Sequence, residues 1–432
     1  MSDRRPGIVH LGVGAFARAH LAWYTAHAAG QPWGITAFTG RSPAAAEALA
    51  AQDCRYTLVT RGADGDHAEV VDAIVAAHAG SDDGAWRRVV ASPDTTIVTL
   101  TVTEQGYRPG SDVPARLVAG LDARRAAGAG RIALVSLDNL SHNGDVLRSA
   151  VLDAVGDADL RAWIESNVAF PSSMVDRITP ATTDADVTSI ADLPGALARD
   201  RVPVVTEPFA EWVLEDRFDG IDRPAWETAG VRLVDDVTPY EQRKLWLLNG
   251  SHSLLAYLGL LLGHETVADA MDDPRCRSAV EQLWDEAAAE LPLPDAEVTA
   301  ARRALVDRFA NPRIRHTLRQ IAAGGSQKLP VRVVDVLRHR LARDPDAGTG
   351  PGAATALAAW WLHVTAQSGL VDDAGAPGPD SDVHDVLGVV APDLDTTPVA
   401  AAVTAAADRI RAARAAAPTT PAHLGADEGV HA

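Results

Sequence analysis

Of the 39 lysines and arginines in this 432-residue chain, only two are lysines, Lys244 and Lys328. Arginine serves wherever a surface cation is wanted. A lysine kept against that habit points to a place where the proton must be able to leave, because arginine holds its proton in proteins and a buried lysine need not. Lys244 lies in Thr238-Pro239-Tyr240-Glu241-Gln242-Arg243-Lys244-Leu245-Trp246-Leu247-Leu248-Asn249-Gly250-Ser251-His252. Thr238, Pro239 and Glu241 have the spacing of N-cap, N1 and N3 of a helix, with a capping box. At about 100° per residue from Lys244, Glu241 falls near 60°, His252 near 80° and Asn249 near 140°. One arc of an otherwise apolar helix therefore carries an amine, an imidazole, an amide and a carboxylate. Burial lowers the pKa of a lysine toward neutrality, which is what a general base needs. A satisfied core network, or a face open to solvent, is the plainer reading of the same spacing, and capping alone accounts for Glu241.

Three other clusters are polar enough to join such a site. Ser136-Leu137-Asp138-Asn139-Leu140-Ser141-His142-Asn143-Gly144 follows a predicted strand, so Asn139 stands where an α/β sheet binds ligands and its amide would donate to a substrate oxygen; a plain turn is the alternative. Phe170 to Pro180 reads as a shaped loop containing Asp176 and Arg177. Gln320 to Pro330 places Lys328 beside a Gly-Gly turn.

The elements that must position these groups are legible in outline. Gly7 to Gly12 reads as a buried strand, followed by Gly12-Val13-Gly14-Ala15-Phe16-Ala17 and a helical stretch to Ala28. G-x-G-x-x-A between a strand and a helix is the form of a dinucleotide-binding turn, in which Gly12 makes the tight turn, Gly14 lets a pyrophosphate approach, and Ala17 lets helix and strand pack. Gly34 to Thr39, Thr96 to Thr103, Arg131 to Leu137 and Val202 to Thr206 are further strand candidates of a parallel sheet. No acid follows the second strand, where Arg41 stands instead, so the reading leaves NADP open beside NAD. After about residue 235 helical periodicity dominates. The expected organisation is a Rossmann-like NAD(P)-binding domain over 1–235, a mainly α-helical catalytic domain over 236–415, and a weakly ordered tail over 416–432.

Composition narrows the class. Two cysteines, Cys54 and Cys276, rule out a disulfide scaffold and Cys-rich metal centres. A formal net charge of −19 argues against nucleic acid or an anionic membrane as partner. The apolar run Leu254 to Leu262 is short of the ~18 residues that span a bilayer, and no secretory signal is evident. A cytoplasmic protein is expected. There is no G-x-S-x-G, Walker A loop or H-E-x-x-H spacing, so a base supplied by a side chain is expected rather than one supplied by a metal.

Taken together, Ile8 to His20 (IVHLGVGAFARAH), Thr101 to Tyr107 (TVTEQGY), SLDNLSHNG, FPSSMVDRITP, EPFAEWVLED, DVTPYEQRKLWLLNGSHS and QIAAGGSQKLP resemble the polyol-specific long-chain dehydrogenase/reductase family, which includes mannitol 2-dehydrogenase and fructuronate reductase. The resemblance implies a metal-independent, NAD-linked oxidoreductase that interconverts a secondary alcohol and a ketone on an acyclic sugar alcohol or sugar acid. It implies Lys244 as base, Asn139 and Asn249 as holders of the reacting oxygen, His252 as a substrate-hydroxyl ligand and Glu241 on a proton path. It places Asp176, Lys328 and Gln320 on the substrate side, and Gly12, Gly14, Phe16, Ala17 and Arg41 on the cofactor. Leu137, Trp246 and Gly324 depart from the family pattern. Gln320 tilts the substrate toward a 2-keto sugar acid, with fructuronate reduced to mannonate as the first choice. Mannitol 2-dehydrogenase or arabinitol dehydrogenase activity is the alternative, and a nucleotide-binding sensor without turnover is the alternative of another class. A monomer or weak oligomer with a small-molecule substrate is expected.

Overall fold

The computed structural model describes residues 3–40, 42–314, 316–366, 372–394 and 396–416. Arg41 and the expected tail beyond Ala416 lie outside the described residues. The chain divides into two units, Met1–Lys244 with Asn311–Ile314, and Leu245–Ala310 with Arg315–Ala432.

The first unit is built on six parallel strands. In spatial order they are Ile74–His78, Trp33–Phe38, Arg5–Leu11, Ile97–Leu100, Ile132–Ser136 and Val168–Ala169. Numbered along the chain this is 3-2-1-4-5-6, the doubly wound order that opens a ligand crevice where the order reverses, at the carboxyl ends of the first and fourth strands. Gly12 and Thr101 follow those two strands directly, and the Thr101 hydroxyl donates to the Gly12 carbonyl at 2.6 Å. The four central strands are almost wholly buried, as expected of a sheet covered on both faces.

Two small sheets complete this unit. The strand expected at Val202 to Thr206 forms over Val204–Thr206, but it does not join the main sheet. It pairs with Tyr56–Gly62, which makes an antiparallel hairpin with Gly65–Val71. The two-residue turn Ala63-Asp64 closes that hairpin between the paired Gly62 and Gly65. Two members of the main sheet also escape sequence reading: Ile74–His78 is Ala-rich and Val168–Ala169 is two residues long. In the third sheet, Glu211–Glu215 lies between Ser173–Asp176, antiparallel, and Arg232–Val234, parallel.

The described residues of the second unit contain helices and no strand beyond a single bridge, Thr266 to Thr317. Its central element is Gly250–Leu262, packed against Pro274–Ala288, Leu318–Ala322 and Pro351–Ala366. Leu254, Leu255, Ala256 and Tyr257 are fully buried there, around Trp246, Trp284 and Trp360. Each buried leucine is worth about 1.5–3 kcal/mol, so burial rather than capping holds this helix. The helix Thr238–Leu262 is long and apolar enough by composition to cross a membrane, yet 78% of its apolar 18-residue stretch is buried inside the protein, as in a core helix. Trp246 is wholly buried, with its indole N–H donating to Asp335 at 3.2 Å, so this departure from the family pattern faces packing rather than solvent.

Candidate active site

Lys244 is held by two other elements of the first unit. Its Nζ donates to Asn139 Oδ1 at 2.6 Å and to the carbonyl oxygen of Val175. Asn139 lies just past the carboxyl end of the strand Ile132–Ser136, and Val175 belongs to the strand Ser173–Asp176. Since Nζ is a donor in these contacts, the amide oxygen of Asn139 must face it, which turns Nδ2, the donor end, the other way. These two acceptors fix the direction in which Nζ donates.

The loop bearing Asn139 is itself fastened. Asn143 Nδ2 donates to the carbonyls of Asp138 at 3.0 Å and Ser173 at 2.8 Å, and its Oδ1 accepts from the Ser173 N–H at 2.9 Å. Ser173 Oγ donates to the Ser136 carbonyl at 2.5 Å. The strand that presents the Val175 carbonyl and the loop that presents Asn139 are thus tied to one another by a fully buried asparagine.

Glu241 differs from its expected role. The helix begins at Thr238 with Val237 as N-cap and Pro239 in its first turn, one residue earlier than the capping-box reading requires. The Glu241 side chain instead accepts the backbone N–H of His142, at 3.0 and 3.2 Å to its two oxygens. His142 stands in the left-handed region at φ 50°, at the start of the helix Asn143–Asp153. Burial lifts the Glu241 carboxyl above its ordinary range, and the His142 N–H pulls part of that shift back. A carboxyl with a raised folded pKa binds more protons folded than unfolded, so its contribution to stability falls as pH rises from about 4.5 through the folded value. Glu241→Gln should therefore flatten the slope of Tm against pH in that interval, while keeping an acceptor for His142. A slope identical to wild type would show that Glu241 titrates normally.

The helix is not regular where the sequence places its chemistry. The stretch Lys244–Asn249 is π-helical, with wider turns than the 100° projection assumes. Single π segments inside α-helices recur at functional sites, and this one begins and ends on a predicted site residue.

In the second unit, His252 is 7% exposed and its Nε2 has no hydrogen-bond partner among the described residues. Its ring lies 4.9 Å from those of Phe309 and His316. Burial holds it well below its ordinary pKa, so it is neutral at pH 7. A buried ring nitrogen without a partner is costly unless a ligand supplies one. Arg332 donates to the Asn249 carbonyl at 3.5 Å and to Ser253 Oγ at 3.2 Å. Both acceptors are neutral, and burial lowers the guanidinium to about 10.

The remaining predicted residues fall in varied surroundings. Lys328 spends its ammonium on two carbonyls of its own segment, Ile321 at 3.2 Å and Ala323 at 2.5 Å. Gln320 is exposed and lines a cavity of about 600 Å³ together with Thr317, Arg319 and His363. Asp176 is buried at the end of the strand that supplies the Val175 carbonyl. Sequence reasoning missed that carbonyl, because a main-chain acceptor has no residue-type signature.

The proposed cofactor loop fits a dinucleotide. Gly12 has φ +107°, and a Cβ there would lie 2.2 Å from the Thr101 carbonyl, so only glycine fits. A Cβ on Gly14 would meet nothing closer than the Gly12 carbonyl at 3.8 Å. The protein's own packing leaves Gly14 room for a side chain, and the open space lies at the start of the helical stretch Ala15–His27, where backbone N–H groups suit a phosphate. Ala17 is buried against the sheet, and Phe16 stacks on His20 at 5.0 Å.

Comparison with known proteins agrees with this architecture. Residues 6–228 match the mannitol dehydrogenase Rossmann domain, and residues 236–378 match the mannitol dehydrogenase C-terminal domain. The chain belongs to the mannitol dehydrogenase family. Within it, the D-mannonate oxidoreductase of Escherichia coli is 38% identical over 393 residues, covering 83% of this chain and 79% of that protein. A mannitol 2-dehydrogenase of Pyrenophora tritici-repentis is 37% identical over 410 residues, covering 86% and 70%. The solved ternary complex of Pseudomonas fluorescens mannitol 2-dehydrogenase with NAD and D-mannitol superposes with a TM-score of 0.78 at 35% identity, covering 95% of this chain and 92% of that one. The chain is accordingly an oxidoreductase of the mannitol dehydrogenase family, with a Rossmann-like sheet followed by a helical C-terminal region.

Proposed function

We propose that the chain is an NAD-dependent, metal-independent dehydrogenase that interconverts D-fructuronate and D-mannonate. The observation that carries the reaction type is the Lys244 amine held by Asn139 Oδ1 and the Val175 carbonyl. In the oxidation direction, neutral Lys244 takes the proton of the substrate hydroxyl as the carbonyl forms; in reduction, the ammonium returns it. NAD, when bound, supplies the hydride acceptor, and Gly12, Gly14, Phe16 and Ala17 would hold it. Asn139 Nδ2 and the Asn249 amide donate to the reacting oxygen, where negative charge builds up. His252 Nε2 takes a substrate hydroxyl as its missing partner. Glu241 stands three residues before Lys244, about one helical turn away, and serves to pass its proton outward. Asp176 and Gln320 are proposed on the substrate side. Lys328 supports its own segment through the Ile321 and Ala323 carbonyls.

Two observations favour the acid over the polyol. The guanidinium of Arg332 lies beside Asn249 and Ser253, its hydrogen-bond acceptors among the described residues are neutral, and a cation so placed is favoured by an anionic ligand. The D-mannonate oxidoreductase is among the most similar relatives. Against a net charge of −19, an anionic substrate needs such a local cation. The NAD and D-mannitol complex of the Pseudomonas enzyme supports NAD as cofactor and mannitol as the second substrate reading. The test is a competition between fructuronate and fructose at equal concentration with NADH. Fructuronate should be reduced with the higher kcat/KM, and Arg332→Leu should narrow the gap. Preference for fructose would make this a polyol dehydrogenase. Nucleotide binding with no turnover of mannitol, arabinitol, mannonate or altronate would make it a sensor.

A further inference from the structure

Asp138 is the residue before Asn139, and the reaction as described gives it no part. Its carboxylate is unusually well engaged. Oδ2 accepts from the Tyr107 hydroxyl and from Ser136 Oγ at 3.1 Å, and Tyr107 Oη and Ser136 Oγ are themselves 2.8 Å apart. Tyr107 is buried and closes the short 3-10 turn Glu104–Tyr107. These donors come from two sources: Tyr107 follows the strand Ile97–Leu100, and Ser136 ends the strand Ile132–Ser136. The two strands are neighbours in the sheet, and the first lies at the point where strand order reverses.

We propose that Asp138 is a positioning residue for the reaction, a carboxylate clip that joins the loop after Ile97–Leu100 to the loop after Ile132–Ser136 and so fixes Asn139 against Lys244. The contacts it joins lie within the first unit. Gly12, in the proposed cofactor turn, accepts from Thr101; Tyr107, six residues further on, bonds Asp138; Asn139 follows in sequence and accepts from Lys244. The main chain of Asp138 is fastened as well, through the Asn143 amide at 3.0 Å. With both its side chain and its carbonyl held, Asp138 leaves the following residue little freedom. A displacement of about 1 Å at a positioning group can lower a rate by about 10²-fold, which is the scale on which such a clip matters. Burial lifts the Asp138 carboxyl to about 6, so at pH 7 and above it is ionised and able to accept from both hydroxyls.

The inference rests on the reading of Lys244 as base, and the experiment separates the two. Because Lys244 and Lys328 are the only lysines, the full-length protein labelled with 15N-lysine gives two side-chain signals, assigned by Lys328→Arg. An accepting Asn139 Oδ1 favours the protonated amine, so losing its alignment lowers the Lys244 titration midpoint. In Asp138→Asn the midpoint should fall by about half a pH unit or more, and kcat should fall about tenfold or more with KM for NAD within about twofold. Tyr107→Phe, which removes one donor and keeps the ring, should shift both in the same direction by less. An Asp138→Asn protein that is folded, with unchanged Lys244 midpoint and kcat, overturns the proposal. So does a fall in Tm with the Lys244 midpoint unmoved, which is what a purely structural role gives. If Asp138→Asn does not fold, Tyr107→Phe decides by the same two readouts. If wild type turns over none of the tested substrates, the reaction assignment fails, and the Lys244 midpoint still reports whether the clip orders Asn139.

Discussion

Lys244→Ala should lower kcat by about 10²–10⁴-fold, the usual worth of general acid–base catalysis, while NAD binding stays near wild type. The amine has two fixed acceptors, Asn139 Oδ1 and the Val175 carbonyl, so removing it deletes the proton acceptor without disturbing the cofactor turn at Gly12 and Gly14. Lys244→Arg is the sharper variant. It keeps charge and length but cannot give up a proton at working pH, so it should be as slow as the alanine variant. The rate of alcohol oxidation in wild type should rise with pH through one ionisation, and that rise should be absent from the residual rates of both variants. Steady-state kinetics in both directions, with NAD affinity measured separately, checks this. Near-normal turnover by Lys244→Arg would remove Lys244 from the role of base and leave it a structural donor to two acceptors.

The second large effect separates two glycines that sequence reading treats alike. Gly12→Ala places a Cβ 2.2 Å from the Thr101 carbonyl at φ +107°. Strained backbone and overpacking each cost about 1–3 kcal/mol, and in a domain of this size each kcal/mol lowers Tm by roughly 2–4 °C. The variant should melt several degrees below wild type without any ligand. Gly14→Ala meets nothing closer than 3.8 Å and should melt as wild type does. Its cost should fall on the cofactor: the rise in Tm that saturating NAD produces in wild type should be small or absent, because the added methyl stands where the pyrophosphate would approach. Thermal melts of both variants with and without NAD test the pair. An unchanged NAD-induced rise in Gly14→Ala would move the dinucleotide away from this turn.

Much of the fold was legible because it is written locally. The strand, the G-x-G-x-x-A turn and the helix that follows it occupy one short stretch, and each part has its own residue chemistry. The change from strands to helices near residue 235 is likewise a change of periodicity. Strand order was not legible, since Ile74–His78 and Val168–Ala169 have little pattern of their own and are recruited by neighbours already in the sheet. Val204–Thr206 reads as one more parallel strand and is one, but in a different sheet, because the hairpin Tyr56–Gly62 and Gly65–Val71 offers it an edge.

The site divides in the same way. Sequence alone determined that this chain keeps two lysines, that one of them shares a short segment with an asparagine and a histidine, and that a glycine-rich turn opens the chain's first helix. The partners of those residues were decided by tertiary structure. Lys244 meets Asn139 across 105 residues and Val175 across 69, and Glu241 meets His142 across 99. The local rule for Glu241 predicted a helix cap, and it failed because the helix takes Val237, which has no side-chain acceptor, as its N-cap, while the backbone N–H of His142 at the start of another helix takes the carboxylate. Lys328 reads as a substrate cation, and folding also sets its ammonium against two nearby carbonyls that residue type does not announce. Residue type limits which bonds a side chain can make; which of them it makes depends on the donors and acceptors that folding leaves buried beside it.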